Sequence, residues 1–433
     1  MSLDKESQKE EAWCERLTLA SARALYLHVP FCARKCAYCD FASRATASDD
    51  PLMAAYAQGL EEELRQAEAA GLLEGCETGY VGGGTPTLLG AQGLGGLIRA
   101  TRTCAPSLLE LTSEANPDSL SDAVLDALAS SGATRVSIGV QSLDDGELAK
   151  LGRIHSAAEA RERVGAAVAS GLDVSCDLMC AIPDQTDASW RRSLEGVVSL
   201  GVGHISVYPL AIEEGTPLAA RVEGLSEEDL EWNSSDVQAS RMTQAQVQLD
   251  GYGYDRYEVA SYARAGKACR HNVAYWTGQP YLGFGTEASS MLTLEGYLRL
   301  CRITPRLPAA PEGTARVRLT CRSGARRIAS SPNLGSLDFD CEFLTVREAA
   351  AEDLMLGARL VRGLDPGLVA FARRVVGPQV DQALGEAQAR GLLDAGLAPT
   401  QDGWLLGNEL YGLLWDLAEA EPQTASTRPS GQG

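Results

Sequence analysis

Short apolar runs alternate with longer amphipathic stretches along the first half of the chain. The runs fall at Ala24–Val29, Thr78–Val81, Leu108–Thr112, Arg135–Val140, Val174–Met179 and His204–Leu210. Each is short and rich in aliphatic or β-forming residues, the pattern of a strand buried on both faces. Between them, Pro51–Ala70, Ala91–Thr103, Ser121–Ser130, Ala157–Ser170 and Ser189–Leu200 carry helical periodicity. Ser121 suits a helix N-cap, and the glycines at 71, 132, 171 and 201 suit helix ends. Repeated strand–helix units with buried strands predict an α/β fold: a parallel sheet or barrel with helices outside. Six units fall short of the eight of a closed barrel, so a partial, open (β/α)6 barrel is expected over residues 23–215.

Beyond residue 215 the rhythm changes. Leu225–Gln248 reads as a helix opening on a capping box, Ser226-Glu-Glu-Asp229. An aromatic-rich stretch, Tyr252–Trp276, lies within an extension over 216–301. Residues 302–344 have weak periodicity and read as a linker or excursion. Residues 345–417 return to a helical pattern with a short β-wing expected at Leu397–Leu406, a winged-helix-like module. Residues 1–22 and 418–433 are polar and are expected to be flexible tails.

Composition narrows the function. Lys and Arg total 38 and Asp and Glu 58, a formal charge of −20. That balance argues against nucleic acid as a partner, because binding phosphate needs cations. The start of the chain has no apolar signal core, and no run of 18 apolar residues offers a spanning helix. A cytoplasmic location follows as the expectation, with peripheral membrane contact left open. The chain has twelve cysteines. In a reducing compartment these are buried thiols, catalytic groups or metal ligands.

Spacing separates three of them. Cys32-Ala-Arg-Lys-Cys36-Ala-Tyr-Cys39 follows the first strand directly. Thiolates hold iron–sulfur clusters, and three close thiolates suit three irons of a [4Fe–4S] cluster with the fourth left open. Zinc is the competing reading; a structural zinc site wants four ligands, and His28 and Asp40 are the nearest fourth candidates. The other nine cysteines show no ligand spacing and read as small buried hydrophobes or incidental thiols.

With this triplet the chain resembles the radical SAM superfamily, and within it the branch of oxygen-independent coproporphyrinogen III oxidase and the HemW heme chaperones. The matching stretches run from about Tyr26 to Leu417. The resemblance implies that S-adenosylmethionine (SAM) chelates the open iron and is cleaved to a 5′-deoxyadenosyl radical by one electron from the cluster. It gives Cys32, Cys36 and Cys39 to the cluster. It gives Tyr26, Tyr38, Gly83, Gly84, Thr85, Glu114, Gln141, Arg153, Asp177 and Ala211 to SAM. The run His271-Asn-Val-Ala-Tyr-Trp276 matches a motif associated with heme in the HemW-like branch and makes His271 a candidate heme contact.

The chain also departs from its relatives. The oxidase has a fourth cysteine two residues after the triplet; here that place is Phe41. The family's Gly-Ala-His-Ser after the Gly-Phe-Gly run is replaced by Thr286-Glu-Ala-Ser-Ser290, and its Tyr-Gly before the Ile/Leu-Pro of the fifth strand by Cys180-Ala181. The expected function is a heme chaperone that binds heme, a [4Fe–4S] cluster and SAM. Its expected partners are a heme-accepting protein and a reductant such as flavodoxin or ferredoxin. The alternatives are an enzyme of the porphyrin-oxidase type, a two-SAM methyl or methylene transferase, and a degenerate relative that keeps a cluster for stability alone.

Overall fold

The computed structural model describes Trp13 and residues 15–419. All six expected strands form: β1 (Ala24–Val29), β2 (Thr78–Gly83), β3 (Glu110–Ala115), β4 (Arg135–Gln141), β5 (Asp173–Cys180) and β6 (His204–Pro209). Only β3 is displaced, starting two residues later than its apolar run. The intervening helices run Pro51–Ala69, Gly90–Cys104, Asp122–Ser131, Ala157–Ala169 and Asp187–Ser199. Ser121 caps its helix by accepting from the Val124 amide, and Gly132 closes it in the left-handed conformation.

The sheet is wider than the six units. β7 (Asp255–Arg256), β8 (Ser261–Ala263), β9 (Tyr281–Phe284), β10 (Ser289–Thr293), β11 (Thr314–Cys321) and β12 (Phe339–Thr345) complete twelve strands. Their order is β12-β11-β10-β9-β1-β2-β3-β4-β5-β6-β8-β7. β9 is parallel to β1, so seven strands run parallel, and antiparallel strands extend both ends. One chamber is lined from β2 through β6 by Tyr80, Glu114, Ser137, Asp177 and Ser206, which requires the parallel part to curve into an open barrel. Val136, Ile138 and Val140 alternate with the inward residues of β4 and join the core under the helices.

Three expectations are corrected. The 302–344 segment holds β11 and β12 and belongs to the sheet. The reciprocal bonds of Ser226 and Asp229 do form, but they close only a turn. The helix itself is Ser235–Gly251, capped by Ser234. No wing forms at Leu397–Leu406: Gln401–Leu405 is helical, and the only pairing there is an isolated bridge, Leu393 to Pro399. Residues 1–12, 14 and 420–433, which include most of the expected tails, lie outside the described residues. Trp13 is buried in the C-terminal core with Leu354, Leu368 and Leu410, so that part of the N-terminal segment is docked.

The C-terminal helices are pinned to the sheet by buried charge. Arg316 of β11 donates to Glu352 at 2.7 Å and to Asp353 at 2.9 Å, both on the helix Val346–Gly357. All three are almost wholly buried. Removing the cation leaves the buried Asp353 without its counter-charge, while Glu352 keeps Arg318. Arg316→Leu should cost about 3–5 kcal/mol in urea denaturation at neutral pH. A cost near zero would remove the pin from this account.

Candidate functional site

The cysteine loop is hooked by backbone bonds to two short helices, Asp145–Leu151 and Pro217–Val222. The Ala37 amide donates to the Leu151 carbonyl at 2.9 Å, and the Ala37 carbonyl accepts from Leu218 at 2.7 Å. Cys32, Cys36 and Cys39 are all half-buried and line one cavity of about 130 Å³. Gly83, Gly84, Thr85, Glu114, Gln141, Arg153, Asp177 and Tyr38 line the same cavity. A Cβ on Gly84 would come within 2.7 Å of the carbonyl oxygens of Val29 and Phe31, and one on Gly83 would strike the His28 ring. Both positions therefore need glycine.

A polar frame joins two of the thiols. Thr85 donates its hydroxyl to Cys32 Sγ at 3.5 Å and accepts from Asn116 Nδ2 at 2.9 Å. Asn116 Oδ1 in turn accepts from Arg153 Nη2 at 2.7 Å, and Arg153 Nη1 donates to Cys36 Sγ at 3.4 Å. Donors aimed at sulfur favour thiolate over thiol. Burial pushes the Cys32 and Cys39 thiols up, and hydrogen bonds from Thr85 and Ser43 at Cys32, and from Phe41 and Ser43 at Cys39, work against it. Among the described residues, no three His, Cys, Asp or Glu side chains are grouped as a single metal ion requires. Three thiols that line one cavity suit a polynuclear cluster, whose ligands bind separate irons.

Below this cavity lies the barrel chamber, about 340 Å³. Tyr38, Glu114, Gln141 and Asp177 line both spaces, and Ala211 lines the chamber. Gln141 sits at a register shift in β4 with φ of 64°, a rare conformation for a side chain other than glycine. Glu114 accepts from Tyr80 Oη at 2.9 Å and from the Gly83 amide at 3.0 Å. Burial raises its pKa to about 7, and burial raises that of Asp177 to about 6.

Two expected residues lie elsewhere. Tyr26 lines neither space; it packs behind Tyr80 at 6.3 Å and bonds His28 Nδ1 at 3.0 Å. His271 is 1% exposed, inside the fold. Its Nδ1 bonds Thr78 Oγ1 at 3.0 Å, its ring stacks on Tyr80 at 5.1 Å, and burial lowers its pKa to about 3. Its Nε2 is buried without a partner. The expected heme contact therefore lines neither the chamber nor the cleft beside it. Other residues of the motif do. Asn272, Tyr275 and Trp276 line a cleft of about 760 Å³ between the β6–β8 side of the barrel and the C-terminal helices, with Met242, Trp404, Tyr411 and Arg359. Sequence reasoning missed Tyr80, Asn116 and this cleft. Asn116 was within reach as part of Glu114-Ala-Asn-Pro117; the cleft depends on residues more than a hundred positions apart.

The radical SAM superfamily model matches residues 26–196. The heme chaperone HemW of Haemophilus influenzae is 36% identical over 276 residues, covering 62% of this chain and 70% of that protein. The heme chaperone HemW of Bacillus subtilis is 29% identical over 410 residues, covering 90% of this chain and 98% of that protein. Among solved structures, coproporphyrinogen III oxidase of Escherichia coli superposes with a TM-score of 0.70 at 21% identity over 93% of each chain, a likeness of fold.

The raised Glu114 gives a pH prediction. A carboxyl whose folded pKa exceeds its unfolded value favours the fold while protonated and loses that advantage as pH rises through about 7. Glu114→Gln in cluster-free protein should raise Tm by about 2–4 °C at pH 8.5 and leave it unchanged near pH 4. Equal shifts at both values would contradict the assignment.

Proposed function

The chain belongs to the HemW family of the radical SAM superfamily, and from that membership we propose that it carries heme to an acceptor protein. It binds a [4Fe–4S] cluster and SAM, with heme as cargo. When bound, the cluster supplies one electron to the SAM sulfonium. We assign Cys32, Cys36 and Cys39 to three of its irons. Thr85 and Arg153 donate hydrogen bonds to the Cys32 and Cys36 sulfurs, and Asn116 fixes the spacing between these two donors. Gly83 and Gly84 leave the backbone open to the methionine end of SAM. Glu114, Gln141, Asp177, Tyr38 and Ala211 line the way to its adenosyl end, and Tyr26 positions Tyr80 from behind.

One observation carries the cargo assignment: the two spaces differ in size and lining. The chamber of about 340 Å³ must already take part of SAM, which leaves no room for a rigid tetrapyrrole. The neighbouring cleft is about 760 Å³ and rich in aromatic rings. Heme seated there would stack on Trp276 and Tyr411. Arg359, whose guanidinium lies over both rings at 5.1 and 4.2 Å, would meet a propionate. Met242 and Tyr208 offer side chains of types that ligate heme iron. His271 is not used.

The family's chemistry requires a reductant, for which flavodoxin or ferredoxin is our candidate. The described cysteines are all free, which suits the reducing cytoplasm. No helix of the described residues is long and apolar enough to cross a membrane. The charge of −20 would steer the chain toward a basic acceptor surface.

Heme titration followed at the Soret band tests the cleft. Trp276→Ala and Arg359→Ala should each weaken binding about tenfold, the scale of one lost ring or ion contact. His271→Asn should keep both affinity and band position. The opposite pattern would return the cargo to His271. Cys36→Ala should lose cluster iron and visible absorbance; retention of both would overturn the cluster assignment.

A further inference from the structure

We propose that the floor of the barrel chamber is a carboxylate-binding subsite built on Arg135 and Thr112. It goes beyond the heme reading and does not depend on it. Arg135 opens β4 and stands opposite Thr112 of β3 in the sheet register. Both face the chamber. Arg135 is 3% exposed. Its Nη1 donates to the Lys267 carbonyl at 3.0 Å, but its Nη2 is buried with no protein partner, and so is Thr112 Oγ1. Two unsatisfied polar atoms thus belong to register neighbours in the chamber lining, just beneath its surface.

Of the acids near Arg135, two are engaged elsewhere, and Asp177, whose carboxyl feels the Arg135 charge, accepts from Ser137 instead. Asp173, opposite it in the register with β5, pairs with Lys267. Glu110 at the start of β3 accepts from the Arg270 and His271 amides. A guanidinium keeps its charge, and burying one without an anion is costly. Its planar fork fits a carboxylate, and the adjacent Thr112 hydroxyl adds a further donor.

The rest of the chamber defines the ligand class. His204 is locked between Ser175 Oγ at 2.6 Å and Tyr257 Oη at 2.9 Å, and burial keeps it neutral. Arg135 is therefore the cation of the floor. Higher up, Glu114 and Asp177 face the same space and would repel a second negative charge. The site takes a monocarboxylate, acid end down, whose other end is neutral or cationic.

The test uses full-length, cluster-reconstituted protein and compares Tm in sodium butyrate, in sodium chloride of equal ionic strength, and in butyramide. Butyrate near saturation should raise Tm by about 2–4 °C, while chloride and butyramide should not. Arg135→Gln should abolish the shift and Thr112→Val should reduce it. An equal shift from chloride or butyramide would overturn the proposal. So would a butyrate shift that survives in Arg135→Gln or, if that variant does not fold, one that is undiminished in Thr112→Val. Heme titration into Arg135→Gln should leave heme affinity unchanged, because the chamber that holds Arg135 is separate from the cleft proposed for heme.

Discussion

The buried guanidinium of Arg153 organises the site. It reaches Cys36 on the cysteine loop, Asn116 beyond the end of β3 and the Gly139 carbonyl on β4, so three separate segments meet on one planar group. Burial alone would favour losing its charge, but nearby Tyr38 and Cys36 hold its pKa up. The ends of the loop, Phe31–Cys32 and Arg44–Ala45, pair in parallel with each other, but the turn from Cys32 to Cys39 has no ladder of its own. It takes its position from Arg153, from the Leu151 carbonyl and from the close approach of Gly152 to Ala37. Everything that could touch a cluster or SAM is arranged around that anchor.

The short helix Arg270–Trp276 divides the molecule into two working spaces. Residues four apart share a helix face. His271 and Tyr275 pack edge to face at 4.7 Å, with the His271 ring turned toward Tyr80. Asn272 and Trp276 share the face toward the cleft, and Asn272 lines both cleft and chamber. One motif therefore does two things: its histidine is sealed in the sheet interior, and its aromatic end builds a wall of the cleft. The buried ion cluster of Arg316, Glu352 and Asp353 holds the opposite wall, because it fixes the C-terminal helices on the sheet.

The barrel was largely legible in the sequence because buried parallel strands are continuous apolar runs, and β1 to β6 appear where those runs lie. β11 was not. Its Val317, Leu319 and Cys321 alternate inward, but Arg316 and Arg318 made the segment look solvated. Arg316 is buried only because its acids arrive more than thirty residues later. The capping residues Ser226 and Asp229 misled for the converse reason: the local bonds are real, yet no apolar face follows until Ser235. The cysteine triplet was readable from spacing alone. The burial of His271 was not legible, because a motif gives residue order and not which side chains the sheet covers.

The central claim is that cluster chemistry and cargo occupy separate spaces, the barrel mouth and the interdomain cleft. Heme titration into cluster-loaded protein, with and without saturating SAM, tests this most directly. The account predicts the same heme affinity and the same Soret maximum in both titrations. Displacement of heme by SAM in a competitive manner would show that the two share one cavity and would contradict it.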